Sequence, residues 1–261
     1  MQSVIAIVGG GRKRGVTLAA TRQFLDNLQS FGDVQGEIVS LSECNIGLCR
    51  GCQVCFERGE QFCPLKGDRD MLIDKMMTAD GVIFASPNYS FQVSAIMKAF
   101  LDRLGFVCHR PRFFGKAFTS IVAQGIYGGD KIVKYLNFFG YSIGFRTVKG
   151  CCIRALDPMT EKERRKIDRA LAKLSTRFHQ KMLKPAYPPP TLLELMIFRM
   201  SRESIKCMLG EDYRDYTYYR DKGWLDSDYY YPTRLGPFKK AVGAIVDWTG
   251  SRIYRRRDQE A

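Results

Sequence analysis

The chain has 261 residues, 45% of them hydrophobic, and carries 41 Lys and Arg against 27 Asp and Glu for a net charge of +14. The apolar content suffices for a substantial core, yet no stretch is apolar for the roughly 20 residues that a membrane-spanning helix needs. The cationic excess favours anionic partners such as nucleotide phosphates or acidic lipid. No C2H2 pattern, RNP sequence or GXXG clamp accompanies it, so no nucleic-acid partner is expected.

Residues 3–8 read SVIAIV, a β-branched run ending at Gly9-Gly10-Gly11, and predict a first strand. No charged segment precedes that run, so it does not resemble a signal peptide and points to a cytoplasmic chain with reduced thiols. A helix follows over 17–30, with Leu18, Phe24, Leu25 and Leu28 on one face. A second strand is expected over 37–41. Residues 70–79 predict a helix with Met71, Leu72, Ile73, Met76 and Met77 inward. Residues 81–85, GVIFA, are continuously apolar, as expected of a strand buried on both faces of a parallel sheet. A helix over 94–104, a strand over 118–123, a helix over 131–139 and a last strand over 145–150 come next. The long charged amphipathic pattern over 161–182 closes the series. Alternating strands and helices predict an α/β fold, a flavodoxin-like doubly wound sheet of five parallel strands. In such a sheet ligands bind beyond the carboxyl ends of the strands, so the loops after the first, third and fourth strands carry the chemistry.

The first of these loops, Gly9 to Thr17, reads GGGRKRGVT. Its glycines let backbone approach an anion, the helix start offers free N–H groups, and three successive cations add attraction. Thr17 can cap the helix and donate to a phosphate. The pattern is neither G-x-x-x-x-G-K-[ST] nor G-x-G-x-x-G, which disfavours ATP and the standard dinucleotide fingerprint. In the second loop, Ser86 to Gln92, Pro87 fixes the turn, Asn88 can hydrogen-bond a planar heterocycle and Tyr89 can lie against its face. The third, Gln124 to Gly129, again allows close backbone approach. The two histidines, His109 and His179, are read as structural, His179 on the surface.

Between the second strand and the next helix stands Cys49-x2-Cys52-x2-Cys55-x7-Cys63, followed by Pro64. Ferredoxin-type iron–sulfur ligation uses a similar C-x2-C-x2-C start and a Cys-Pro end. Structural zinc usually takes two separated pairs, which this run lacks. A metal-free loop of buried or oxidation-prone thiols is the other reading. Cys44, Cys108, Cys151, Cys152 and Cys207 have no such spacing and read as small buried hydrophobes.

At these residues the chain resembles the NADPH-dependent FMN reductase family. GGGRKRGVT is similar to that family's S-P-R-x-x-[SG]-N-T phosphate loop, with Gly10 in place of Ser and Val16 in place of Asn. Residues 86–103, SPNYSFQVSAIMKAFLDR, are similar to its S-P-x-Y…G-x-x-K-x-x-x-D-R segment and retain Lys98, Asp102 and Arg103. The cysteine run followed by Asp68-Arg69-Asp70-Met71 resembles the iron–sulfur flavoprotein branch. The resemblance implies FMN held by Gly10, Arg12, Gly15, Val16, Thr17 and Leu18, by Pro87, Asn88, Tyr89 and Ser90, and by Gln124, Gly125, Tyr127 and Gly128. It implies a [4Fe-4S] cluster on Cys49, Cys52, Cys55 and Cys63, NAD(P)H or ferredoxin as electron donor, and a homodimer or tetramer. No side chain is expected to be catalytic, because the flavin carries the chemistry. An FMN-only quinone, azo or flavin reductase is one alternative. A non-enzymatic flavodoxin-like carrier or membrane-associated scaffold is another.

Residues 184–190, KPAYPPP, form a semi-rigid spacer that divides a 1–183 flavin domain from a 184–261 extension. The extension is rich in tyrosine and ends in an amphipathic stretch with Phe238, Val242, Ile245 and Trp248 on one side and Arg255-Arg256-Arg257 beyond. That side is expected to pack on the chain's own core or across a subunit interface, with peripheral contact to an acidic membrane as the lesser expectation.

Overall fold

A computed structural model describes residues 1–156 and 158–260, with side chains described as far as Arg255. In chain order the elements begin with β1 (Gln2–Val8), α1 (Val16–Gln29), β2 (Val34–Ser40), α2 (Val54–Glu57), α3 (Arg69–Thr78) and β3 (Gly81–Pro87). They continue with α4 (Ala95–Arg103), α5 (Gly105–His109), β4 (Ala117–Gln124), α6 (Gly129–Ser142), β5 (Arg146–Thr147) and β6 (Cys151–Arg154). Last come α7 (Glu161–Met182), α8 (Leu192–Met208), α9 (Arg214–Asp221) and α10 (Pro237–Glu260). They form two units, residues 1–50 with 65–186 and residues 51–64 with 187–261.

In the first unit the strand order is β2-β1-β3-β4-β5, with every pairing parallel and β6 also paired to β4. This is the expected flavodoxin-like doubly wound sheet. Alternate residues of β1 and β3 serve opposite faces. Val4, Ala6, Val8, Ile83 and Ala85 meet Phe24 and Leu28 of α1 and Leu171, Leu174 and Phe178 of α7 in one buried cluster. Phe84 turns the other way, its ring 5.8 Å from that of Phe100 on α4 and 5.0 Å from that of Phe118. Burial on both faces explains why β3 reads as unbroken apolar sequence. On α3 the inward residues are Leu72, Ile73 and Met76, whereas Met71 and Met77 are exposed, because a ten-residue helix lying on one face buries only one stripe.

The last strand differs from the expected 145–150. It is split into β5 and β6, both alongside β4, and three residues (148–150) oppose two (119–120) at the break. The extra residue makes a bulge. Gly150 is required there, since a Cβ would lie 2.2 Å from the Ser120 carbonyl oxygen. Asn137 fills the gap in the ladder, donating to the Val148 carbonyl and accepting from the Ser120 hydroxyl, both at 2.8 Å.

In the second unit α8 starts with a reciprocal cap between Thr191 and Glu194. Tyr219, Trp224 and Tyr229 are buried with Phe198, whose ring centroid lies 4.5 Å from that of Tyr230. The short helix α2 packs on α9. Sequence reading put the cysteine loop with the sheet, but residues 51–64 pack with the extension. Phe238, Ile245 and Trp248, expected to pack on the chain's own core or on a partner subunit, are exposed and so do not pack on its own core. Helix α10 instead meets α8 through Gly243, Val246 and Gly250. A Cβ on Gly250 would lie 3.1 Å from Glu203 Cβ, so small residues let the helices approach closely enough to pair charges. Arg199 bonds Asp228 and Asp247, and Arg202 bonds Glu203 and Asp247.

Candidate functional site

The carboxyl ends of β1, β3 and β4 open into the three loops singled out from sequence. The first loop is anchored at Gly9, whose carbonyl accepts from the Ser94 hydroxyl at 2.6 Å and whose N–H donates to Ala85 at 2.8 Å. A Cβ there would lie 2.8 Å from Met97 Cβ. The Gly15 N–H then donates to the Arg12 carbonyl at 3.0 Å, a tight turn that delivers Gly15 as the N-cap of α1. No side chain caps this helix. Thr17 is not the cap that its sequence position suggested. It is buried within the first turn, and its carbonyl accepts from the Thr21 hydroxyl at 2.8 Å. The first-turn N–H groups of α1 are therefore left to an external acceptor, with the positive end of the helix dipole behind them.

The second and third loops are tied together. The Asn88 N–H donates to the Ala123 carbonyl at 2.7 Å and its side-chain amide to the Tyr127 carbonyl at 2.9 Å. Tyr89 and Gln92 exchange two backbone hydrogen bonds of 3.0 Å across Ser90 and Phe91, both at positive φ (49° and 65°). A bulky side chain in that region is strained. Phe91 lies beside Tyr127, ring centroids 5.3 Å apart, and against Gly128, where a Cβ would approach it to 2.9 Å. Gln124 uses its side-chain oxygen to accept the Gly129 N–H at 2.7 Å and its carbonyl to accept the Ala155 N–H at 2.9 Å.

Together the loops enclose an open cleft of about 170 Å³. Gly10, Arg12, Gly15, Val16, Thr17 and Leu18 line one end. Pro87, Asn88 and Tyr89 line one side, and Gln124 and Gly125 the other. Ser90, Tyr127 and Gly128 do not reach the cleft wall: Ser90 and Tyr127 are exposed at its rim and Gly128 is turned to Phe91. Ala123 and Ala155 complete the wall and went unnoticed in the sequence. Ala has no chemistry to flag it, and Ala155 follows the strand that was misplaced. Arg12 is the one charged side chain among the lining residues, so the field in the cleft is positive and concentrated at the α1 end.

The cysteine run leaves the first unit at Arg50 and returns at Leu65. Arg103, buried, donates one guanidinium nitrogen to the Ile46 carbonyl and another to the Leu65 carbonyl, the latter at 2.7 Å. The D-R pair of the 86–103 segment thus serves structure: Asp102 pairs with Lys98, and that hydrogen bond pushes the Lys98 pKa up. Cys49 and Cys52 are exposed, and Cys55 and Cys63 half-buried. Gly51 (φ 64°) and Gln53 (φ 59°) bracket Cys52 with two left-handed residues, winding the backbone tightly around the run. Among the described residues, no three His, Cys, Asp or Glu side chains converge as a metal would require.

The family model for NADPH-dependent FMN reductase matches residues 2–153. An iron–sulfur flavoprotein of Archaeoglobus fulgidus is 33% identical over 156 residues, 56% of this chain and 70% of its own. One from Clostridioides difficile is 27% identical over 231 residues, 85% of this chain and 96% of its own. The latter match is longer than residues 1–186 and so takes in part of the C-terminal extension. The solved azoreductase of Bacillus anthracis shares the fold at a TM-score of 0.54 and 15% identity, covering 69% of this chain and 100% of that one. Sheet order and sequence match agree that the chain belongs to the NADPH-dependent FMN reductase family, in its iron–sulfur flavoprotein branch.

Proposed function

We propose that the first unit holds FMN in the cleft and that the protein moves electrons between NAD(P)H, or a ferredoxin, and an acceptor, with a [4Fe-4S] cluster on Cys49, Cys52, Cys55 and Cys63. The observation that carries the flavin site is an uncapped α1 N-terminus beside Arg12 at one end of a cleft between three strand-end loops. The residues fit the group. A Cβ at Gly11 or Gly125 would meet nothing within 4 Å, so backbone there is open to a ligand. Arg12, the Val16, Thr17 and Leu18 N–H groups and the Thr17 hydroxyl would bind the phosphate, with Gly10 and Gly15 keeping the approach free. Pro87, Asn88 and Tyr89 on one side and Gln124 and Gly125 on the other would hold the ring, with Ser90 and Tyr127 at the rim and Gly128 supporting Phe91. When bound, FMN accepts hydride and passes electrons on singly or in pairs. The chain's own task is then to orient it and limit water, with no acid, base or nucleophile needed. Exposed Tyr89, Phe91 and Tyr127 at the rim support a homodimer or tetramer in which a neighbouring copy covers the ring side.

For the cluster, the donor set fits in kind and number: four thiols at ferredoxin-like spacing in one short stretch. The thiolates would have to stay reduced, which suits a cytoplasmic setting. Anaerobic purification tests the whole reading. Iron and sulfide near four per chain, FMN near one, and oxidation of NADH or NADPH are the expected results. FMN with turnover but without iron would leave an FMN-only quinone, azo or flavin reductase. FMN with iron but no nicotinamide oxidation would point to ferredoxin as donor, or to a carrier.

A further inference from the structure

The outward face of α10 has no use in the flavin site. Phe238, Ala241, Ile245, Trp248 and Arg252 recur at alternating spacings of three and four, one continuous stripe along the helix. All five are exposed, Phe238 by 70%, Ile245 by 60% and Trp248 by 58%. The inward stripe, Gly243, Val246 and Gly250, is fully used against α8, so turning the helix to bury its large side chains would break the charge pairs of Asp247. Exposed Lys240 and Arg255 border the stripe, and Arg252 ends it. The Arg252 guanidinium lies 3.9 Å from the Trp248 ring centroid. Asp247 is the one acid between Pro237 and Arg255, and it faces inward to Arg199 and Arg202.

We infer that this face of α10 docks on an anionic lipid bilayer, lying in the headgroup layer. Large apolar groups bounded by cations and free of acids match such a surface in both hydrophobicity and charge. Trp and Arg suit the boundary, each with an apolar body and a polar tip. Among the described residues no helix is long and apolar enough to cross a membrane, so the helix lies on the bilayer. A second copy using the same face would add its own Lys240, Arg252 and Arg255 to this cationic border with no acid to meet them, a like-charge contact that disfavours a symmetric pair.

Co-sedimentation of the full chain with vesicles of phosphatidylcholine alone, or with 30% phosphatidylglycerol added, tests this. Anionic vesicles should bind at least about tenfold better, and raised salt should remove the difference. Trp248 fluorescence should shift blue on binding, over a constant signal from buried Trp224. Ile245→Ser with Trp248→Ser should weaken partition about tenfold or more with an unchanged melting temperature, because both side chains are already exposed. Lys240→Gln, Arg252→Gln and Arg255→Gln together should abolish the preference for anionic lipid. The inference is overturned if the wild-type chain stays in the supernatant at millimolar anionic lipid, or if the serine pair partitions like wild type. It is equally overturned if the serine pair dissolves an oligomer present without lipid, which would make the face a contact between copies.

Discussion

Asn45 and Asp68 hold each other twice: the Asn45 N–H donates to Asp68 Oδ2 at 2.7 Å, and the Asp68 N–H donates to the Asn45 carbonyl at 2.9 Å. The two residues stand 23 positions apart and close the neck of the segment that carries Cys49 to Cys63. Arg103 repeats the closure one step further in, bridging the Ile46 and Leu65 carbonyls. Wherever the thiols come to rest, both stems of their loop are fixed to the sheet unit.

Substitutions at the neck should therefore be felt by the cysteine run and not by the flavin cleft. A lysine at 103 has one nitrogen and cannot span two carbonyls, so Arg103→Lys should lower unfolding stability by ~2 kcal/mol. Gly67→Ala should cost ~2–4 kcal/mol, because Gly67 sits at φ 119° and a Cβ would lie 2.1 Å from the Asn45 carbonyl. Both variants should retain less iron after anaerobic reconstitution while the FMN Kd moves by less than about twofold, as expected for separate sites. Full iron retention with loss of FMN would reverse this assignment.

In the cleft, Arg12→Ala removes the one lining cation and should weaken FMN by ~1.5–3 kcal/mol, the range for hydrogen bonds to charged groups. Gly10→Ser should act in the opposite sense. The added Cβ has room, with its nearest neighbour 3.7 Å away at Thr17 Cβ. Its hydroxyl would restore a donor that the family's phosphate loop carries, tightening FMN by ~1 kcal/mol. Fluorescence titration of the apoprotein measures both, and a Gly10→Ser variant that binds more weakly would place the phosphate elsewhere.

Most of the first unit was legible because its strands obey one rule each. Buried β3 is continuously apolar, and each functional loop begins where such a run stops at glycine or proline. The last strand was not legible, since its break is set by Gly150 fitting beneath the Ser120 carbonyl, a contact between residues 30 apart in sequence. Thr17 looked like a cap by type, but the Gly15–Arg12 turn starts the helix two residues earlier. On α10 the apolar stripe was legible, but which side of the helix meets α8 was not. The buried side is chosen by Gly243, Gly250 and Asp247, residues that hydropathy counts as polar or neutral.

Alkaline pH should affect buried thiols and phenols differently from exposed ones. Burial pushes the Cys151 pKa up to about 12 and that of Cys152 to about 11. Both should resist iodoacetamide at pH 8 in cluster-free protein, while exposed Cys49 and Cys52 react; peptide mapping reads this directly. Tyr230 is likewise pushed up to about 12 by burial, and Tyr219 well above its ordinary value. These groups bind protons more tightly folded than unfolded, so their contribution is complete below pH ~9 and lost as pH rises toward 12. Melting temperature should fall across that window, and the phenolate absorbance of Tyr219 and Tyr230 should appear only with unfolding, after that of exposed tyrosines such as Tyr127 and Tyr187. Early titration of Tyr219 and Tyr230 in the folded protein would contradict the packing around Trp224.

Asp247 is where the second unit is most exposed to a single change. It is the shared partner of Arg199 and Arg202, both nearly buried, with contacts of 2.6 Å to each. Asp247→Ala would leave two guanidinium groups short of countercharge in a site that water reaches poorly, at a cost of about 3 kcal/mol. Asp247→Asn keeps the shape and one acceptor and should lose less. Because the flavin cleft is built wholly from residues of the first unit, calorimetry of Asp247→Ala should show an earlier transition for the second unit while FMN remains bound until the first unit melts. Loss of FMN in step with that earlier transition would mean that the two units unfold as one.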